Sequence, residues 1–127
     1  MPKIIIGGPT KNSDGTMLAL SKVVRAGDFI FVSGQVPFDS SGKVVGGGIK
    51  AQTKQVIENI RTLLLSAGAS LDDIVKTTVW LVDKRDFKEF NVVYASFFSN
   101  GPPARVTVVA DLVIDAAIEI DAVAYRP

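Results

Sequence analysis

Apolar positions along the chain follow two different periods, and each period marks a kind of element. Ile49, Val56, Ile57, Ile60, Leu63, Leu64 and Ala67 fall on one face at helical spacing, while Lys50, Lys54, Glu58 and Arg61 fall elsewhere. The spacing predicts an amphipathic helix over residues 49–67. Gly68 stands where a helix C-cap belongs, and residues 70–73 (SLDD) offer a capping-box start for a short turn. A second helix follows residues 83–86, whose aspartates can cap it. In it Phe87, Phe90, Tyr94, Phe97 and Phe98 recur at spacings of three and four, a stripe that predicts packing onto a sheet rather than a cofactor-binding face. Asn100-Gly101-Pro102-Pro103 stops it.

Runs rich in β-branched and aromatic residues predict strands at 21–25, 29–33, 74–82, 105–112 and 118–124. Ala26-Gly27-Asp28 turns the first pair into a hairpin. In the last strand Ile118, Ile120, Ala122 and Ala124 share one face, with Glu119 and Asp121 on the other. Residues 9–16 and 37–48 read as loops, the glycines at 46–48 as a flexible turn. The order strands, helix, strand, helix, strands predicts one α+β domain over residues 1–127, with both helices on one face of a mixed sheet. The other sheet face has no helix left to cover it and is too rich in Val, Thr and Trp to stay wet, so self-association is expected.

Composition narrows the chemistry. The chain has no Cys and no His, which removes thiolate nucleophiles, His relays and every zinc site built on sulfur or imidazole. Fourteen basic against 13 acidic residues leave a net charge of +1, with the cations scattered. No footprint for nucleic acid or an anionic membrane results, and a small molecule or another protein is the expected partner. Ile4 to Ile6 is too short for a secretory segment, which needs about seven apolar residues, and no run approaches the roughly 18 of a membrane span. The expected setting is the cytoplasm.

Carboxylates, hydroxyls, Lys, Arg and backbone amides remain as candidates. Arg105 follows the stiff Pro102-Pro103-Ala104 entry to a strand. Its planar fork suits a carboxylate or phosphate, or else a surface ion pair. Glu119, one of three glutamates, lies mid-strand between Ile118 and Ile120. It suits a half-buried base that holds a water, or the solvated face of an edge strand. Ser33-Gly34 ends a strand with a hydroxyl and a residue lacking Cβ, either an ordinary strand end or a place where a ligand meets the backbone.

Residues 25–37 (RAGDFIFVSGQVP), Ala51-Gln52-Thr53 with residues 56–60 (VIENI), Asp86-Phe87, residues 91–94 (NVVY), Phe97-Phe98, Pro103-Ala104-Arg105 and Ile118-Glu119-Ile120 occur in order. Together they resemble the reactive intermediate deaminase family, also called the RidA/YjgF family, from about Ser21 to the C-terminus.

The resemblance implies a chorismate-mutase-like α+β fold, a homotrimer with clefts between subunits, and cofactor-independent, metal-free hydrolysis of enamines and imines such as 2-aminoacrylate or 2-iminobutanoate to 2-keto acids and ammonia. Carried over by position, Arg105 clamps the substrate carboxylate, Glu119 holds the attacking water, Ser33 and Gly34 line the site and Asn91 supports it. The alternatives are a noncatalytic small-ligand or protein-binding trimer, or a deaminase of an aminomuconate-like enamine.

Leu20 stands where the archetypal members carry a tyrosine, so one hydroxyl is lost. A hairpin of the last two strands turning near Ile114 would set Arg105 opposite a position near Val123. Glu119 would then lie about four residues along from Arg105, and a neighbouring subunit would complete the site.

Overall fold

The computed structural model describes residues 2–127, in which six strands form one sheet. They are β1 (Ile4–Ile6), β2 (Val23–Ala26), β3 (Phe29–Gln35), β4 (Ile74–Leu81), β5 (Ala104–Val109) and β6 (Ile118–Tyr125). Their order across the sheet is β1-β2-β3-β6-β4-β5. Helices α1 (Gly48–Ser66) and α2 (Phe87–Phe97) pack on one face. The expected α+β arrangement, two helices on one face of a mixed sheet, is therefore present.

The β2–β3 hairpin forms around Gly27, with Val23 opposite Val32. The expected hairpin of the last two strands does not form. β5 instead pairs parallel to β4, with Arg105 opposite Thr77 rather than near Val123. Parallel neighbours need a crossover, and α2 supplies it between β4 and β5. β6 returns into the middle of the sheet, antiparallel to both β3 and β4. Ile4–Ile6 adds an edge strand that its short apolar run did not signal.

Period 2 sorts the strands into two faces. Val32, Thr77, Val79, Leu81, Ile118, Ile120, Ala122 and Ala124 turn toward the helices and are buried. They meet Val56, Ile57, Ile60 and Leu64 of α1 and Phe90 and Tyr94 of α2. Burying each large apolar side chain here contributes on the order of 1.5–3 kcal/mol relative to exposure. Of the aromatic stripe, Phe90, Tyr94 and Phe98 join this core, whereas Phe87 stays 42% exposed.

The opposite face carries Phe31, Val106, Val108 and Tyr125, each more than a third exposed, together with Glu119 and Asp121.

The ends of α1 are built differently from each other. At its C-terminus Ala69 and Gly68 donate to Leu64 and Leu65 carbonyls, the expected glycine cap. At its N-terminus Gly47 has φ 94° and Gly48 φ 79°, and a Cβ on Gly47 would come within 2.9 Å of the Ala51 Cβ. The triplet read as a flexible turn is thus an ordered helix entry, in which Gly47 and Gly48 hold a conformation that glycine alone adopts without strain. No helix among the described residues is long and apolar enough to cross a membrane.

Candidate functional site

Glu119 sits on β6, which is central, so the solvated edge-strand reading does not apply. Its neighbour is the end of β3, where the ladder to β6 breaks between Val32 and Gln35. At this bulge Gly34 lies directly against the Glu119 carboxylate, and a Cβ at position 34 would overlap Oε2. Two facts thus meet at one point: the chain lacks a side chain, and a carboxylate fills the space. Burial raises the Glu119 pKa above the ordinary glutamate value, and the Asp121 carboxylate adds to the rise. Asp121 itself is engaged, accepting a bond from the Thr78 amide at 2.9 Å.

Ser33 also lies at the bulge, but its hydroxyl donates to the Ser21 carbonyl and so ties β3 to the segment before β2. An open groove of about 550 Å³ begins at Ser33 and Gly34 and is walled in part by Leu18, Leu20, Val36 and Leu63.

Helix α1 fixes this region through two amides whose role the sequence pattern did not reveal. The Asn59 amide nitrogen donates to the Val36 and Phe38 carbonyls at 3.1 and 3.0 Å, just beyond Gly34. The Gln52 carbonyl oxygen accepts from the Ala117 amide at 2.8 Å, two residues before Glu119. Their spacing of seven residues, two helical turns, places both on one side of α1 beside the apolar stripe. That polar pair next to a core face was the available signal.

Arg105 is elsewhere. It starts β5, the strand at the opposite edge, and turns toward the helices. Its guanidinium carbon lies 4.8, 5.4 and 5.7 Å from the ring centres of Tyr94, Phe90 and Phe87. One N–H donates to Asn91 Oδ1 at 2.8 Å. Tyr94 in turn shares a 2.7 Å hydrogen bond with Thr77, the residue paired with Arg105 across the ladder. Burial raises the Tyr94 pKa, against the opposing pull of that bond and of the Arg105 charge. The aromatic stripe therefore does more than fill the core, because it forms a cradle for a cation. Among the described residues no carboxylate forms an ion pair with Arg105. The surface ion-pair reading fails, and the remaining guanidinium donors stay available to an anion.

The chain thus holds two separate groups, Ser33-Gly34-Glu119 and Arg105-Asn91. Arg105 shares its sheet face with Thr77, and Glu119 shares the other with Trp80, so one chain cannot bring the two side chains together. Distance along a hairpin is not the reason; the sheet itself stands between them. Among the described residues no three acidic side chains cluster to hold a metal ion.

The chain is thus a small α+β protein whose sheet carries, among the described residues, an unpaired guanidinium on one face and a carboxylate of raised pKa on the other. The chain belongs to the family described as Endoribonuclease L-PSP, whose model matches residues 11–126, the family of the RidA/YjgF proteins. A RutC family protein of Pyrococcus horikoshii is 46% identical over 119 residues, spanning 92% of this chain and 94% of that protein. Human 2-iminobutanoate/2-iminopropanoate deaminase is 38% identical over 119 residues, spanning 92% of this chain and 87% of the human protein. The crystal structure of E. coli TdcF with bound serine matches with a TM-score of 0.86 at 31% identity, covering 98% of this chain and 99% of that one.

Proposed function

We propose that this protein hydrolyses 2-imino acids and their enamine tautomers to 2-keto acids and ammonia, as a cytoplasmic homotrimer whose sites lie between subunits. The observation that carries the reading is Arg105: a guanidinium held by Asn91 and three aromatic rings, with no carboxylate paired to it among the described residues. Such a fork suits a small carboxylate. The human relative named as an imine deaminase and the E. coli relative crystallised with serine support a ligand of amino-acid size and charge. RNA cleavage, suggested by the family's description, is less well served by a chain of net charge +1 without His.

In this reading Arg105 of one subunit binds the substrate carboxylate, and Glu119 of another lies beside the imine carbon. Glu119 takes a proton from water as its oxygen bonds to that carbon, and the C=N electron pair moves to nitrogen. That proton passes to nitrogen to give the neutral carbinolamine. Glu119 then takes the hydroxyl proton and delivers it to nitrogen as the C–N bond breaks, so that ammonia leaves as the C=O forms. An imine is already electrophilic, so positioning supplies most of the acceleration. The exposed helix-free face, with Phe31, Val106, Val108 and Tyr125, supports burial against other subunits.

The test is an imine-lifetime assay. An amino-acid oxidase or threonine dehydratase generates the imine, and semicarbazide trapping competes with hydrolysis. Faster loss of trappable imine on adding the protein is expected. An unchanged lifetime across several side chains would leave a ligand-binding trimer in place of an enzyme.

A further inference from the structure

Beside Arg105 lies a cleft of about 350 Å³ lined by Leu81, Lys84, Phe87, Thr107, Val108 and Val109. We propose that it is a subsite for a second anionic group, so that the preferred substrates are imines of dicarboxylic amino acids. The proposal rests on the reading of Arg105 as the clamp for the first carboxylate.

Two links join the cleft to Arg105. Phe87 forms a wall of the cleft and also one ring of the guanidinium cradle. Thr107 lies two residues along β5 on the same face, since it pairs with Val79 as Arg105 pairs with Thr77. Two strand residues span roughly 7 Å. A single small molecule can therefore touch both the guanidinium and the cleft.

The chemistry of the lining points to an anion on a short apolar stem. The Thr107 hydroxyl is buried and has no hydrogen-bond partner, an arrangement that native interiors rarely leave in place without a use. Lys84 is the single charged residue of the lining, and it forms no ion pair among the described residues. The nearby Asp83 is already bound by Arg85 at 2.7 Å. Leu81, Phe87 and Val109 supply apolar surface for the methylenes between the two charges.

Calorimetric binding of two unreactive 2-oxo acids of equal length, 2-oxoglutarate and 2-oxopentanoate, tests the subsite. The wild type is expected to bind 2-oxoglutarate at least about tenfold more tightly, as one added charge-assisted hydrogen bond would produce. Lys84→Met should abolish that advantage and the isosteric Thr107→Val should reduce it, both leaving 2-oxopentanoate affinity unchanged. Equal affinity of the wild type for both acids overturns the subsite and leaves the Arg105 clamp standing. Undiminished binding of both acids by Arg105→Ala overturns the clamp and the subsite with it, as does failure of the wild type to bind either acid at millimolar concentration.

Discussion

Gly34 and Glu119 occupy one space: the Glu119 carboxylate fills the volume that any side chain at position 34 would need. Gly34 does not have a positive φ, so contact rather than backbone conformation demands glycine here. Gly34→Ala should therefore fold normally and push the carboxylate aside. A displacement of about 1 Å at a reacting group costs on the order of a hundredfold in rate. Turnover by Gly34→Ala should fall on that scale with little change in melting temperature, whereas wild-type turnover would show that Glu119 can shift without consequence.

Arg105→Ala removes the proposed clamp and its cradle contacts together. Lost stacking and the lost Asn91 bond should together cost about 1–2 kcal/mol of stability, since partly exposed cation–π contacts and single hydrogen bonds are each about 0.5–1 kcal/mol. Turnover should fall by orders of magnitude. Arg105→Lys keeps the charge but not the fork, and most activity should still go. Steady-state kinetics beside denaturant unfolding separates the two effects, and unimpaired kcat/KM in Arg105→Ala would remove Arg105 from the site.

Much of this arrangement was legible in the residues. The helical spacing from Ile49 and the nine-residue run from Ile74, dominated by Val, Ile, Thr and Trp, predict α1 and β4 to within a residue or so of their ends. A hairpin of β5 with β6 is an error that their adjacency in sequence invites, since β5 pairs with β4 instead. The order β4-α2-β5 held the information needed, since a helix between two strands serves a parallel crossover. That one error hid the opposite facing of Arg105 and Glu119, which follows from the register Thr77–Arg105 and Trp80–Glu119. The cradle under Arg105 was hidden differently. Periodicity assigns Phe87, Phe90 and Tyr94 to one face but says nothing of what lies across from them.

Glu119 has a raised folded-state pKa, from burial first and Asp121 second. A carboxyl raised in this way favours the folded state while protonated. Its contribution is fully present below the unfolded pKa and is lost as pH rises through the folded value. Glu119→Gln should therefore be at least as stable as the wild type at pH 7, with the difference fading in acid. As a base Glu119 must be ionised, so wild-type kcat/KM should rise with pH through an apparent pKa above the usual glutamate range. That limb should vanish in Glu119→Gln while a 2-keto acid still binds. A wild-type pH profile in the variant would remove the water-activating role, and loss of keto-acid binding would make Glu119 a support for Arg105.

Gly47 and Gly46 make a paired test of the helix entry. Gly47→Ala meets both the positive φ and the Ala51 side chain, whereas Gly46 has open space around it and an ordinary φ. Gly47→Ala should cost about 1–3 kcal/mol through backbone strain. Gly46→Ala should be neutral, or stabilising by up to about 1 kcal/mol through the unfolded chain. Urea midpoints for the two variants decide it, and equal effects would contradict the ordered cap.

Because one sheet separates Arg105 from Glu119, two inactive variants should repair each other. In sedimentation the protein should run at about three times the 13.5 kDa chain mass. A trimer mixed from equal parts of Arg105→Ala and Glu119→Gln has intact sites wherever a subunit that keeps Arg105 faces one that keeps Glu119. With random exchange, that is about one site in four for heterologous interfaces around a ring. Each variant alone has none. Subunit exchange by partial unfolding and refolding should therefore restore roughly a quarter of wild-type turnover, a value set by the same closed ring. A mixture as inactive as its components, despite proven exchange, would mean that each site draws both residues from one chain, which the opposite facing of Thr77–Arg105 and Trp80–Glu119 forbids. The proposed pairing would then be wrong, and with it the assignment of these two residues to one reaction.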